Sequence, residues 1–444
     1  MSAAVVVQAY RFALDPTASQ IRDLHRHAGA ARFAFNWALA AVQANIGQRA
    51  AERSYGVAEE QLTPMLGWTL PALRRAWNRA KGEVAPWWDQ CSKEAYNTGL
   101  DAVARALKNF VASRSGARAG APVGFPRFRS RRRATPSVRF TTGVIRVETD
   151  RHHVTLPRVG RIKTHESTRK LARRLEAGTA RIMSATVRRE GHRWYCAFTV
   201  EVHRAQTTPA RPGDRVGVDV GIGTLAVLST GECVPNPRHL DRSLSKLRTA
   251  ARTMSRRAGP HRRTGQRPSK RWQRARDQVA HLHARVGNQR RDGLHKLTST
   301  LAATYGTVVV EDLNVAGMLK NRKLARYLAD AGFAEIRRQL DYKTAWNGGQ
   351  LHRRPVVPLV QNVLGLSDGE TKLSLATRTF TCEHCGLVID RDLNAAINLK
   401  HYVARSGRET RNVEPTRRPS LTRQVAVKRL PRTTAVGKTG TARW

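Results

Sequence analysis

The run TVVVE at residues 307–311 leaves little choice of structure. Successive β-branched valines pack well on a pleated sheet and poorly in a helix, so these residues predict a buried strand, and that strand ends in a carboxylate, Glu311. A second strand-like run, RVGVDVGIGTLAVLSTGE (215–232), carries Asp219 just before a glycine-supplied turn into LAVL. A third acid, Asp392, opens the helical stretch DLNAAINLKHY (392–402). Any one of these acids alone reads as a turn residue or a cap. As an ordered set they predict an α/β domain with carboxylates at strand ends, where ligands of open α/β sheets bind. Three such carboxylates can hold two Mg²⁺ ions roughly 4 Å apart.

The formal net charge of +46 on 444 residues says what those acids would face. So large a charge opposes folding by self-repulsion unless a polyanion neutralises it. Nucleic acid is the natural one, because Lys and Arg contacts to phosphate release counterions. An anionic membrane surface is the alternative, but the charge is spread along the whole chain and not confined to one amphipathic helix. A hydrophobic fraction of 40% suffices for real cores. No run approaches the ~18–20 apolar residues of a membrane span, and MSAAVVVQAYRFALDP lacks the features of a signal peptide. Cys91, Cys196, Cys233, Cys382 and Cys385 are too few for a disulfide framework in a chain this long. A prokaryotic cytoplasmic, nucleoid-associated protein is expected, with no membrane partner; protein partners are not indicated.

Residues 1–14 read as a strand and 15–112 as helical, with Asp15-Pro16-Thr17 as a helix start. Trp68, Trp77, Trp87 and Trp88 punctuate the helical part, where packing is favoured over base stacking. From 113 to 136 the chain is Gly/Arg/Pro-rich and suited to following a phosphate backbone. Short β-like runs then continue to 203, with a Gly191-His192 hairpin turn, predicting a small β-barrel or sheet. RAQTTPARPGD (204–214) reads as a linker into the domain with the three acids, which extends to 402. Within it, 239–303 is a long basic helical segment broken around GPHRRTGQRPSK, and 403–444 reads as a disordered basic tail.

GVDVGIGTLAV, VVVEDLNVAGM and CEHCGLVIDRDLNAAINL resemble the three RuvC motifs of the transposon-encoded TnpB (OrfB) nucleases, relatives of the type V CRISPR effectors. YRFALDPTASQ, GFPRF (124–128), RRDGLHKL (290–297) and RRQLDYKTAWNGG (337–349) extend the resemblance over roughly residues 8–402. It implies an RNase H-like (RuvC) domain joined to an N-terminal helical domain and a wedge-type β-barrel. It also implies RNA-guided, Mg²⁺-dependent cleavage of double-stranded DNA beside a short flanking motif, with a guide RNA from the element's own end. Asp219, Glu311 and Asp392 would be the metal-binding catalytic acids, with Asp390 as second choice. Arg127, Arg129, Arg290, Arg291, Lys296, Arg338, Gln339 and Lys343 would be nucleic-acid contacts.

One stretch departs from the family, which carries a zinc ribbon with two C-x-x-C pairs between the second and third motifs. Here 350–388 holds only Cys382 and Cys385, so a four-thiolate Zn²⁺ site is incomplete. His352 and His384 are the available substitutes. Where the family reads D-R-W-Y-P-S-S-K-T-C-S-x-C, this chain has RPVVPLVQNVLGLS (354–367). Back-translated with permitted codons and read one base out of phase, that stretch spells D-R-W-Y-P-S-S-K-T-C-S-G-C. A frameshift near Arg353–Arg354, restored near Ser367–Glu370, accounts for it, and the gene's codons test it. The expected function is therefore an RNA-guided endonuclease. The alternatives are a weakened relic that binds RNA and DNA without efficient cutting, and a helix-turn-helix DNA-binding regulator.

Overall fold

The computed structural model describes residues 4–131, 134–205, 207–261, 263–355, 379–381 and 388–409. Cys382, His384 and Cys385, the altered stretch after Pro355 and the tail beyond 409 lie outside the described residues, so the zinc expectation is not addressed there.

Strand β1 (Ala4–Asp15) leads into α1 (Ala18–Ser54) through a capping box: the Gln20 amide donates to Thr17 Oγ1 while Gln20 Oε1 accepts from the Thr17 amide at 3.0 Å. Helices α2 (Leu70–Val84) and α3 (Lys93–Arg114) pack on α1. The α1–α3 contact is close because Gly99 faces α1, where a Cβ would lie 2.2 Å from the Ala31 carbonyl oxygen. Trp77 is buried and stacks on Tyr96 with ring centroids 4.9 Å apart, Trp87 meets Phe33 and Tyr96, and Trp68 meets Phe125. These three are packing residues. Trp88 is partly exposed beneath the Lys81 ammonium.

Next come β2 (Ser137–Phe140), β3 (Arg146–Val147), β4 (His153–Leu156), β5 (Gly160–Thr164), α4 (Arg169–Glu176), β6 (Ala180–Glu190) and β7 (Arg193–Arg204). With β1 they form an antiparallel seven-stranded sheet in the order β2-β6-β7-β1-β5-β4-β3. No β2–β3 pairing closes it among the described residues. Strand β7 alternates buried Trp194, Cys196, Phe198, Val200 and Val202 with half-exposed residues, the period-2 pattern of a sheet buried on one face. That face shares one hydrophobic core with α1–α3, so the helices and this sheet are a single packed unit.

A second core surrounds β8 (Arg211–Asp219), β9 (Thr224–Leu228), β10 (Cys233–Pro235), β11 (Tyr305–Asp312) and β12 (Gln350–Pro355), in the order β10-β9-β8-β11-β12. Strands β10, β9 and β8 are antiparallel neighbours, whereas β11 and β12 run parallel to β8. Helices α5 (His239–Ser255) and α6 (Lys270–Thr304) cross from β10 to β11. Helices α7 (Val315–Met318), α8 (Ala325–Ala331) and α9 (Phe333–Trp346) lead from β11 to β12. A hairpin of β13 (Thr379–Thr381) and β14 (Val388–Asp390) precedes α10 (Arg391–Glu409), which lies on β8.

Three boundaries differ from the sequence reading. Arg211–Asp214 belongs to β8 and not to a linker, because Arg211 pairs with Tyr305. Gln350–Pro355 is a sheet strand and not the start of the ribbon insertion, being in register with β11. Residues 403–409 continue α10 and are not tail.

Candidate active site

Backbone register sets two of the three acids side by side. Val218 pairs with Val310 in the parallel β8–β11 ladder, so Asp219 and Glu311 follow side by side at the strand ends. Alternation along a strand puts Gly217 and Asp219 on one face, and Val309 and Glu311 on the same face. Helix α10 covers that face: Val309 and Leu399 pack together in a small cluster, and a Cβ on Gly217 would lie 1.9 Å from the Ala396 carbonyl oxygen. Asp392 stands one helical turn before Ala396 on this covering helix, near enough for its charge to act on Asp219.

Electrostatics agree with this placement. Burial, then the charges of Glu311 and Asp392, push Asp219 up to about 7, with Arg391 and a backbone hydrogen bond from Val220 opposing. Glu311 is also raised by burial, while the Arg354 charge acts to lower it. Confined like charges that resist joint ionisation form a hard-oxygen donor set of the kind that takes Mg²⁺. Among the described residues, however, no three His, Cys, Asp or Glu side chains already stand close enough together to hold an ion. The chemistry of the site fits a divalent cation, and the carboxylates would have to draw in around it.

The neighbouring acids are otherwise engaged. Asp390 Oδ1 accepts from the amides of Asp392 and Leu393 at 2.9 and 3.0 Å and so caps α10. Asp312, on the opposite face from Glu311, is paired with Arg337. His352 sits on β12 beside Gln350, with Nε2 3.2 Å from its Oε1.

The candidate nucleic-acid contacts divide sharply. Arg127, Arg291, Lys296 and Arg338 are exposed, the last held by Glu335 through two hydrogen bonds of 2.7 and 2.8 Å. Arg129 stacks its guanidinium over Phe35 at 3.7 Å, its main chain fastened to Asn36. Arg290 is turned toward α8, donating to the Ala329 carbonyl. Gln339 and Lys343 are not surface contacts. Both are buried, and Lys343 Nζ donates to His295 O (2.8 Å), Thr298 Oγ1 (2.7 Å) and Ser299 Oγ (2.9 Å). Its ammonium, held down to about 8 by burial, ties α9 to α6.

The larger basic surface was not singled out from the sequence. A cleft of about 1080 Å³ opens between α1, α3, the β6–β7 hairpin and the α5–α6 connection. Arg32, Arg105, Arg129, Arg131, Arg189, Arg267 and Arg276 line it, and among the described residues no carboxylate does. Only Arg129 among these carried an assigned role, because the others come from distant segments whose convergence is tertiary.

Comparison with known proteins bears on the family. Residues 197–322 match the OrfB_IS605 model, described as "Probable transposase", and 333–399 match the Cas12f1-like TNB domain. Residues 1–50 match a model described as a helix-turn-helix domain, although here they fold as β1 and the single long helix α1. A Mycobacterium tuberculosis protein named "Putative RNA-guided DNA endonuclease" is 40% identical over 89% of this chain and 86% of its own length. A Streptomyces pristinaespiralis protein of the same name is 31% identical, with 97% and 98% covered. An Escherichia coli K12 relative, also so named, is 27% identical over 88% and 91%. The structure of a Cas12f1–sgRNA–target DNA complex aligns with a TM-score of 0.49 at 11% identity, covering 89% of this chain and 99% of that one. Among the described residues no helix is long and apolar enough to cross a membrane. At 40% identity over nearly nine-tenths of its length, the chain belongs to the TnpB (OrfB) family of IS605-type elements.

Proposed function

We propose that the chain is an RNA-guided, divalent-metal-dependent DNA endonuclease encoded by a transposable element, built on an RNase H-like domain. The observation that carries this reading is that Asp219 and Glu311 stand side by side on one face at the ends of parallel strands, with Asp392 near the start of the helix that covers that face. The five-stranded order, three antiparallel strands followed by two parallel ones, supports the RNase H-like assignment. The names of the relatives support the activity.

Asp219, Glu311 and Asp392 would hold the cation, which when bound activates a water and offsets charge on the leaving oxygen. The Arg-lined cleft would grip phosphates, leaving sequence to be read by base pairing with a guide RNA from the element's end. A short flanking motif would license the target.

The weakened-relic reading has one specific support, the altered stretch beginning at Arg354. The regulator reading has the helix-turn-helix match of residues 1–50 in its favour, but it gives Asp219, Glu311 and Asp392 nothing to do. The test is to purify the protein with RNA transcribed from its own element's end and to incubate it with a matched target-plasmid library in Mg²⁺. Cleavage that depends on guide matching is expected. RNA and DNA binding without cleavage would select the relic, and the absence of both would overturn the proposal.

A further inference from the structure

Strand β12 adds a cation to the acid row. Arg354 is the register partner of Glu311 in the parallel β11–β12 ladder, so its side chain rises from the same face as Glu311 and Asp219. The adjacent residue confirms the alternation: Arg353 points to the other face, where it pairs with Asp341 of α9 at 2.7 Å. Across β8, β11 and β12 the covered face therefore reads Asp219, Glu311, Arg354, with neighbouring strands ~4.8 Å apart.

We propose that Arg354 is a built-in counter-charge to Glu311 that weakens this chain's hold on a divalent cation. A guanidinium beside Glu311 satisfies part of the negative charge that a cation would otherwise satisfy, and it repels an incoming dication directly. The Arg354 charge already acts on Glu311 in the fold. On the frameshift reading, Arg354 is the first residue of the altered stretch, and a permitted codon for it spells an aspartate in the other frame. The change would thus have replaced a negative charge with a positive one at the edge of the site.

This inference rests on the reading that the three acids hold a metal, so the experiment separates the two. Terbium(III) luminescence, calibrated by competition with Mg²⁺, measures cation affinity of the full-length protein without any cleavage. Wild type, Arg354→Lys, Arg354→Gln, Arg354→Asp and Asp219→Ala are compared, with circular dichroism confirming the fold of each. Arg354→Gln is expected to tighten binding by about tenfold and Arg354→Asp by more, whereas Arg354→Lys, which keeps the charge, stays near wild type. If Asp219→Ala abolishes binding but Arg354→Gln and Arg354→Asp leave it unchanged, the counter-charge is overturned while the metal site stands. If Asp219→Ala binds as wild type does, the metal-site reading fails and the inference falls with it.

Discussion

Gly217 of β8 lies so close beneath α10 that a Cβ there would come 1.9 Å from the Ala396 carbonyl oxygen. No rotamer change relieves a clash with backbone, so only glycine lets the helix settle at this depth. Because Asp219 is two residues on along the strand and Asp392 one turn back along the helix, this contact sets the height of one acid over the other.

Gly217→Ala is therefore expected to lift α10 and separate the acids without touching either. Overpacking of this kind costs about 1–3 kcal/mol. Thermal denaturation should show that loss, and cleavage measured below the variant's melting point should fall further than wild type under the same conditions. Wild-type cutting by a folded Gly217→Ala protein would mean that Asp392 is not held through this contact.

Asp390 and Asp392 are two residues apart but differ in their work. Asp390→Ala removes the cap of α10 and should cost about 0.5–2 kcal/mol while leaving much of the cutting. Asp392→Ala should abolish cutting with little loss of stability. Comparing melting temperature with cleavage rate for both variants checks the assignment, and reversed behaviour would make Asp390 the site residue.

Asp219 supplies a pH dependence. Its pKa of about 7 in the fold lies above the usual carboxylate value near 3.9. Between those values the folded protein keeps a proton that the unfolded chain has released, so stability falls as pH rises through this window. In the metal-free protein, Asp219→Asn should be more stable than wild type by roughly 1–3 kcal/mol at about pH 8, with the gap closing toward about pH 4. Denaturant titrations in EDTA at both pH values measure it. A gap that does not change with pH would show that Asp219 ionises freely.

For the basic surface, Arg32→Ala and Arg267→Ala should each weaken nucleic-acid binding and reduce the slope of log affinity against log salt by about one, whatever the sequence bound. Lys343→Met should instead destabilise the fold by about 1–3 kcal/mol, leaving buried acceptors unpaired, with the salt slope unchanged. A lowered slope for Lys343→Met, or an unaltered one for both arginine variants, would reverse these roles.

What the sequence showed and what it hid follow from range. The strand ends at Asp219 and Glu311 and the helix start at Asp392 were legible because valine runs, a turn glycine and an Ala/Leu-rich helix are local signals. The β12 strand was not, because QLHRRP is polar and becomes a strand only by pairing with β11. Burial of Lys343 is equally invisible locally, since its acceptors lie on α6, more than forty residues earlier. The cleft arginines converge from five separate segments, of which the Gly/Arg/Pro stretch and the basic 239–303 segment gave notice.

The most direct test of the central claim compares wild type with Asp219→Ala, each purified with the element-end RNA, on a matched supercoiled plasmid in Mg²⁺. The expected result is guided cutting by wild type, none by Asp219→Ala, and equal retention of RNA by both. Cutting that survives the substitution would contradict the assignment of catalysis to this acid row.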